Sequence, residues 1–122
     1  MMTPRVLIVD DVDQVRYDLG IALALSGGLE IIGEAADGLE AVRLTEKLSP
    51  DVVLMDLEMP VMDGYEATRW IKTRFPFCKV IALTVHGYDE AREKAIGSGV
   101  DAFIVKGAPV KEIVQTVLKE KE

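Results

Sequence analysis

The chain has 122 residues, of which 49% are hydrophobic and 29% charged, enough apolar material for the core of one domain and too much for a disordered or fibrous class. With 14 basic against 21 acidic residues its formal net charge is −7, so a nucleic-acid backbone would be repelled, and direct DNA or RNA contact is not expected. One cysteine, Cys78, and one histidine exclude an intrachain disulfide and leave too few soft ligands for structural zinc, which fits a reducing, cytoplasmic setting.

The start, Met1-Met2-Thr3-Pro4-Arg5, leads into the short aliphatic run Val6-Leu7-Ile8-Val9, which Asp10-Asp11 ends. Neither a signal peptide nor a membrane span is expected there, and no long uncharged apolar run follows. This run and its four equivalents further along the chain read as strands buried on both faces. Val15, Leu19, Ala22 and Leu23 then take helical spacing, closed by Gly27-Gly28, before a second short run, Glu30-Ile31-Ile32. Asp37-x-x-Glu40 opens a second helix with Ala41, Leu44 and Leu48 as its stripe. Asp51-Val52-Val53-Leu54-Met55 is the third strand; Asp63-x-x-Glu66 opens a third helix striped by Thr68, Ile71 and Phe75. Lys79-Val80-Ile81-Ala82-Leu83 is the fourth strand.

A helix from about Asp89 to Ser98 has as apolar content mostly Ala91, Ala95 and Ile96 and is closed by Gly97 and Gly99. It buries little, so it should pack loosely and be the mobile helix. Ala102-Phe103-Ile104-Val105 is the fifth strand, Pro109 suits a first helical turn, and Val110, Ile113, Val114, Val117 and Leu118 give the fullest helical stripe of the chain. Strand and helix alternate five times, which predicts right-handed crossovers and an α/β fold, a parallel sheet with helices on both faces. With no repeats, linkers or low-complexity segments, residues 1–122 read as one domain.

Ligands of an open parallel sheet bind beyond the carboxyl ends of its strands. There the sequence places Asp10-Asp11, Asp56, Thr84 and Lys106, while the second strand ends blandly in Glu34-Ala35-Ala36. Each alone has an ordinary explanation: an Asp after a strand as a turn or cap residue, a β-branched strand Thr, a solvated Lys. Together they are three carboxylates in one crevice, which implies a hard divalent cation with oxygen ligands, and Mg²⁺ fits. A carboxylate, a hydroxyl and an ammonium beside Mg²⁺ make a phosphoryl-transfer site in which Asp is the nucleophile and an acyl phosphate the product.

At these residues the sequence resembles the receiver domains of two-component response regulators, over essentially the whole chain. The resemblance is carried by Leu7-Ile8-Val9-Asp10-Asp11, by Leu54-Met55-Asp56-Leu57-Glu58-Met59-Pro60-Val61-Met62-Asp63-Gly64, by Val80-Ile81-Ala82-Leu83-Thr84 and by Ala102-Phe103-Ile104-Val105-Lys106. It implies a flavodoxin-like (βα)5 fold with strand order 2-1-3-4-5. It also implies that Asp56 accepts a phosphoryl group from a sensor histidine kinase and that Asp11, Asp56 and the Glu58 carbonyl bind Mg²⁺, with Asp10 acting through water. Thr84 and Lys106 would hold the phosphoryl oxygens, and Phe103 would turn inward as Thr84 moves. The product would be a switch controlling an output domain or downstream protein, with dimerisation on phosphorylation a further implication and no enzymatic turnover beyond self-phosphorylation and autodephosphorylation.

Gly107 stands where many receivers have a proline joined to the lysine by a cis bond, and a trans bond is expected here. Lys106-Gly107, with Ile32-Gly33-Glu34-Ala35-Ala36-Asp37-Gly38, resembles receivers that precede LuxR-type helix-turn-helix outputs, though no such output lies in this chain. Glu58 and His86 occupy variable positions that flank the phosphoryl group and would tune its lifetime. Cys78, Trp70 and the Met55, Met59, Met62 cluster read as structural. Two competing functions are a haloacid-dehalogenase-like phosphatase, mimicked by Asp11-Val12-Asp13-Gln14-Val15, and a phosphorylation-independent interaction module. The first needs an acid pair late in the sheet where Thr84 stands; the second typically loses an acid or the Lys, and all are present here.

Overall fold

Ten elements alternate along the chain: β1 Arg5–Val9, α1 Asp13–Ser26, β2 Glu30–Ala35, α2 Gly38–Leu48, β3 Val52–Asp56, α3 Gly64–Arg74, β4 Lys79–Thr84, α4 Asp89–Ser98, β5 Ala102–Val105 and α5 Val110–Leu118. They come from a computed structural model that describes residues 3–119; Met1, Met2 and the stretch 120–122, on which the readings of the two chain ends rest, lie outside the described residues. The strands form one sheet in the order β2-β1-β3-β4-β5, with every pair parallel.

This order explains which apolar runs are unbroken. β1, β3 and β4 are interior and need apolar side chains on both faces, whereas β2 and β5 are edges and are only partly buried. Alternation along the interior strands builds two cores. Val6, Ile8, Val52, Leu54, Ile81 and Leu83 meet α1 and α5 through Leu23, Ile113 and Val117. Leu7, Val9, Val53, Met55 and Val80 meet α2 and α3 through Ala41, Ala67 and Ile71. α4 lies over a smaller cluster in which Ala95 joins Leu57, Tyr65 and Ala82.

β2 is longer than its apolar run because it continues through Gly33 to Ala35, after a bulge that sets Val6 opposite Ile31 but Leu7 opposite Gly33. Asp37 and Asp63 cap their helices, accepting from the Glu40 and Glu66 amides at 2.8 and 2.9 Å. Glu40 returns its carboxylate to the Ala36 amide, one residue outside a regular capping box. Pro109 is the N-cap of α5, one position before the first turn expected for it.

Four side chains depart from the expected core. Val15, Ile96, Leu118 and, on the edge strand β5, Val105 are exposed, and the edge strands are not buried on both faces as their apolar runs suggest. α1 carries a second apolar stripe, Tyr17, Ile21 and Leu25, on its solvent side, so spacing alone did not tell the inner face from the outer. Trp70 is also half exposed, its ring beneath the Arg74 guanidinium at 5.5 Å. Cys78 and Met55 are buried, with Met59 and Met62 packed against the core. At the opposite end of the sheet from the acids, the buried Lys79 donates its ammonium to the Thr116 and Lys119 carbonyls, capping α5 from β4.

Candidate functional site

The carboxyl ends of β1, β3, β4 and β5 converge. Asp10, Asp11 and Asp56 each place a carboxylate oxygen within 4.8 Å of the others; Asp10 and Asp56 are buried and Asp11 is exposed. Lys106, just past β5, reaches across to Asp10 Oδ2 at 2.7 Å and Asp56 Oδ1 at 3.4 Å. It therefore stands between two of the acids rather than satisfying one.

Asp10 is held on every polar atom: its amide donates to the Ala35 carbonyl, its Oδ1 accepts from the Val12 amide at 2.9 Å, and its carbonyl accepts from Arg16 Nη1 at 2.6 Å. Asp56 ends β3, and its Oδ1 accepts from the Glu58 amide at 3.4 Å. Gly64 allows the chain to fold back here, because a β-carbon on it would lie 2.1 Å from the Asp56 carbonyl oxygen. In the same loop Val61 is held at φ 69°, a left-handed conformation that is costly for a β-branched residue.

Burial drives the Asp56 carboxyl up to about 6, and Asp10 adds to the rise while Lys106 and the Glu58 amide oppose it. Desolvation is thus the leading cause, ahead of the repulsion from Asp10. Burial works to lower the Lys106 ammonium, but its hydrogen bond to Asp10 and the Asp56 charge outweigh this and hold it above its ordinary value.

Thr84 follows Leu83, the register partner of Asp56, and its buried hydroxyl accepts from the His86 amide at 3.1 Å. Glu58 and His86 pair with each other across the site: His86 Nε2 lies 2.9 Å from one carboxylate oxygen of Glu58 and 3.1 Å from the other. Phe103 is half-buried against the cluster beneath α4, and its ring is covered by the Arg92 guanidinium at 4.8 Å. The Lys106–Gly107 bond is trans, and Gly107 takes φ 99°, which the proline of many receivers could not adopt.

The sequence reading missed Arg16. Its guanidinium bonds Asp13 and Glu34 as well as the Asp10 carbonyl. The available signal was its place: a cation in the opening turns of a helix faces the positive end of the dipole, so local preference does not explain it. Chemically, the crevice offers an oxygen-only donor set able to hold a hard cation, a desolvated carboxylate, and an ammonium and hydroxyl on neighbouring strand ends.

Known proteins share this sequence pattern and fold. The sequence profile of the response regulator receiver domain matches residues 6–118. Response regulator protein VraR of Staphylococcus aureus is 42% identical over 118 residues, covering 97% of this chain and 56% of VraR, so the chain spans about half the length of that relative. The structure superposes on a LuxR-family DNA-binding response regulator from S. aureus with a TM-score of 0.88, 32% identity and coverage of 93% and 95% of the two chains. It also superposes on a chain of the CheX-CheY-BeF3-Mg²⁺ complex from Borrelia burgdorferi with a TM-score of 0.85, 30% identity and coverage of 95% and 90%. No helix among the described residues is long and apolar enough to cross a membrane. The chain belongs to the response regulator receiver domain family.

Proposed function

We propose that this chain is a single receiver domain, residues 1–122, that takes a phosphoryl group from a sensor histidine kinase on Asp56. The observation that carries the reading is the buried Asp56 beside Asp10, with Lys106 reaching both. One Asp56 oxygen attacks the phosphorus of a phosphoimidazole; the P–N bond breaks as the P–O bond forms, and the imidazole leaves with the electron pair and takes a proton from solvent. Lys106 then exchanges an acid partner for a phosphoryl oxygen, and the Thr84 hydroxyl turns toward another.

Asp11 and Asp56, with the Glu58 carbonyl, are the direct ligands of Mg²⁺ in this reading, and Asp10 acts through water. The donor set fits, since both Asp10 oxygens already accept hydrogen bonds while Asp11 is open to solvent. Bound Mg²⁺ supplies charge neutralisation at the phosphoryl oxygens. The Mg²⁺ and BeF3 named for the Borrelia complex support the same assignment. Movement of Thr84 vacates space for Phe103 and shifts α4, biasing an output domain or downstream protein toward its active state, with dimerisation as one route. The LuxR-family relatives point to transcriptional output in the cytoplasm. The Glu58–His86 pair stands where water must approach an acyl phosphate and sets its lifetime.

Incubation with acetyl phosphate and Mg²⁺, read by intact mass and peptide mapping, should add one phosphoryl group at Asp56. Asp56→Ala should take none, and labelling equal to wild type would overturn the assignment. Asp11→Asn should lose most of the thermal stabilisation that Mg²⁺ gives wild type, roughly 2.7 kcal/mol at a hundredfold excess over the dissociation constant. An undiminished Mg²⁺ gain would remove Asp11 from the ligand set.

A further inference from the structure

Asp11, the most exposed of the three acids, lies on a turn whose shape is fixed by its neighbours. On one side the Asp10 carbonyl accepts from Arg16 Nη1 at 2.6 Å; on the other the Val12 carbonyl accepts from the Arg16 backbone amide at 3.0 Å. One residue thus brackets Asp11 from both directions. The guanidinium is itself set in place, with Nε on Glu34 at 2.8 Å and Nη2 on Asp13 at 2.7 Å, so it ties the turn after β1 to the end of β2 and to the start of α1. Its side chain is mostly buried, which makes the three-way fork costly to break.

We infer that Arg16 is a positioning residue for the divalent cation, holding the β1–α1 turn so that the Asp10 and Asp11 carboxylates face the site before the metal arrives. The inference rests on the Mg²⁺ reading given above. Lys106 also fastens Asp10, but it must serve the phosphoryl group during the reaction. Arg16 touches no reacting atom and stays in place throughout, so the turn keeps its shape when Lys106 changes partner. A lysine could keep the charge but engage only part of the fork, because the planar guanidinium alone presents several donors in fixed directions.

The test is titration of the metal-free protein with Mg²⁺, followed by amide NMR shifts well below the melting temperature, for wild type, Arg16→Met, Arg16→Lys and Glu34→Gln. Arg16→Met should bind Mg²⁺ about tenfold more weakly, the scale seen when groups orienting metal ligands are removed, and its Val12 amide should exchange faster without metal. Arg16→Lys should fall between the two. Glu34→Gln, which loosens the fork but leaves the Asp10 contact, should weaken binding least. In phosphorylation by acetyl phosphate the half-saturating Mg²⁺ concentration should rise by the same factor, while the rate at saturating metal falls less. A folded Arg16→Met with wild-type Mg²⁺ affinity would overturn the inference even if it melts lower, since that is a purely structural role. If Arg16→Met does not fold, wild-type affinity in both other variants would overturn it equally. Failure of wild type to bind Mg²⁺ would instead bring down the parent reading.

Discussion

Two turns leave interior strands within reach of Asp56, and they are built in opposite ways. In the turn from β1 to α1, Asp10 has a partner on each polar atom and Arg16 ties the turn to β2. In the turn from β4 to α4, Val85 and Tyr88 are exposed, and the inward residues of α4 are mostly the small Ala91, Ala95 and Ser98. Hydrogen bonds fix the first turn and little apolar area holds the second. The contrast teaches how the switching proposed above would divide its labour, with one wall held by hydrogen bonds and the other by small side chains that leave room to repack.

Gly64→Ala strikes between the two turns, at the loop after β3 that carries Asp56 itself. Its methyl would lie 2.1 Å from the Asp56 carbonyl oxygen, so backbone must move, and a loss of roughly 3 kcal/mol is expected in urea unfolding, with Asp56 displaced from Asp10 and Lys106. A loss under ~1 kcal/mol would mean that the Asp56 loop yields easily and that rigidity is confined to the β1–α1 turn.

The next effect is a pH dependence. The Asp56 carboxyl is raised from 3.8 to about 6 on folding, so between those values the folded state holds a proton that the unfolded chain has released. Without metal, stability should therefore fall as pH rises from about 4 to about 6, by on the order of 2 kcal/mol, and stay low above that. Asp56→Asn should flatten this window and melt higher than wild type at pH 7 in chelator. Equal pH profiles for the two proteins would show that repulsion and burial at Asp56 are not a stability cost.

The smallest effect sharpens the soft wall. Arg92 covers the Phe103 ring from the exposed side of α4, an interaction worth about 0.5 kcal/mol. Arg92→Ala should raise hydrogen exchange in α4 and β5 and leave α1 unchanged. Equal acceleration in α1 would erase the distinction between the two walls.

Much of this was legible in the chain because interior strands leave a strong mark. Val6–Val9 and Val80–Leu83 have no polar interruption, and the polar residue ending each such run falls at the sheet's carboxyl edge, where a site must be. The residues that were harder to read depend on tertiary partners. Arg16 takes its meaning from Glu34, 18 residues away, and Glu58 from His86, 28 residues away. α1 carries apolar residues on two faces, so its period identified a helix without saying that Leu23 is buried and Tyr17 is not. The left-handed Val61 leaves no sequence signal, since loop context rather than preference holds it there.

Lys79 gives β4 a mechanical character. The strand begins with a cation fastened to carbonyls at the end of α5 and ends five residues later at the Thr84 hydroxyl, a rod of about 17 Å. Its ladders to β3 and β5 fix the rod's register, and the Lys79 ammonium fixes the end of α5 to it. The pole of the sheet opposite the acids is thereby anchored to a helix terminus by one buried cation, independently of α4.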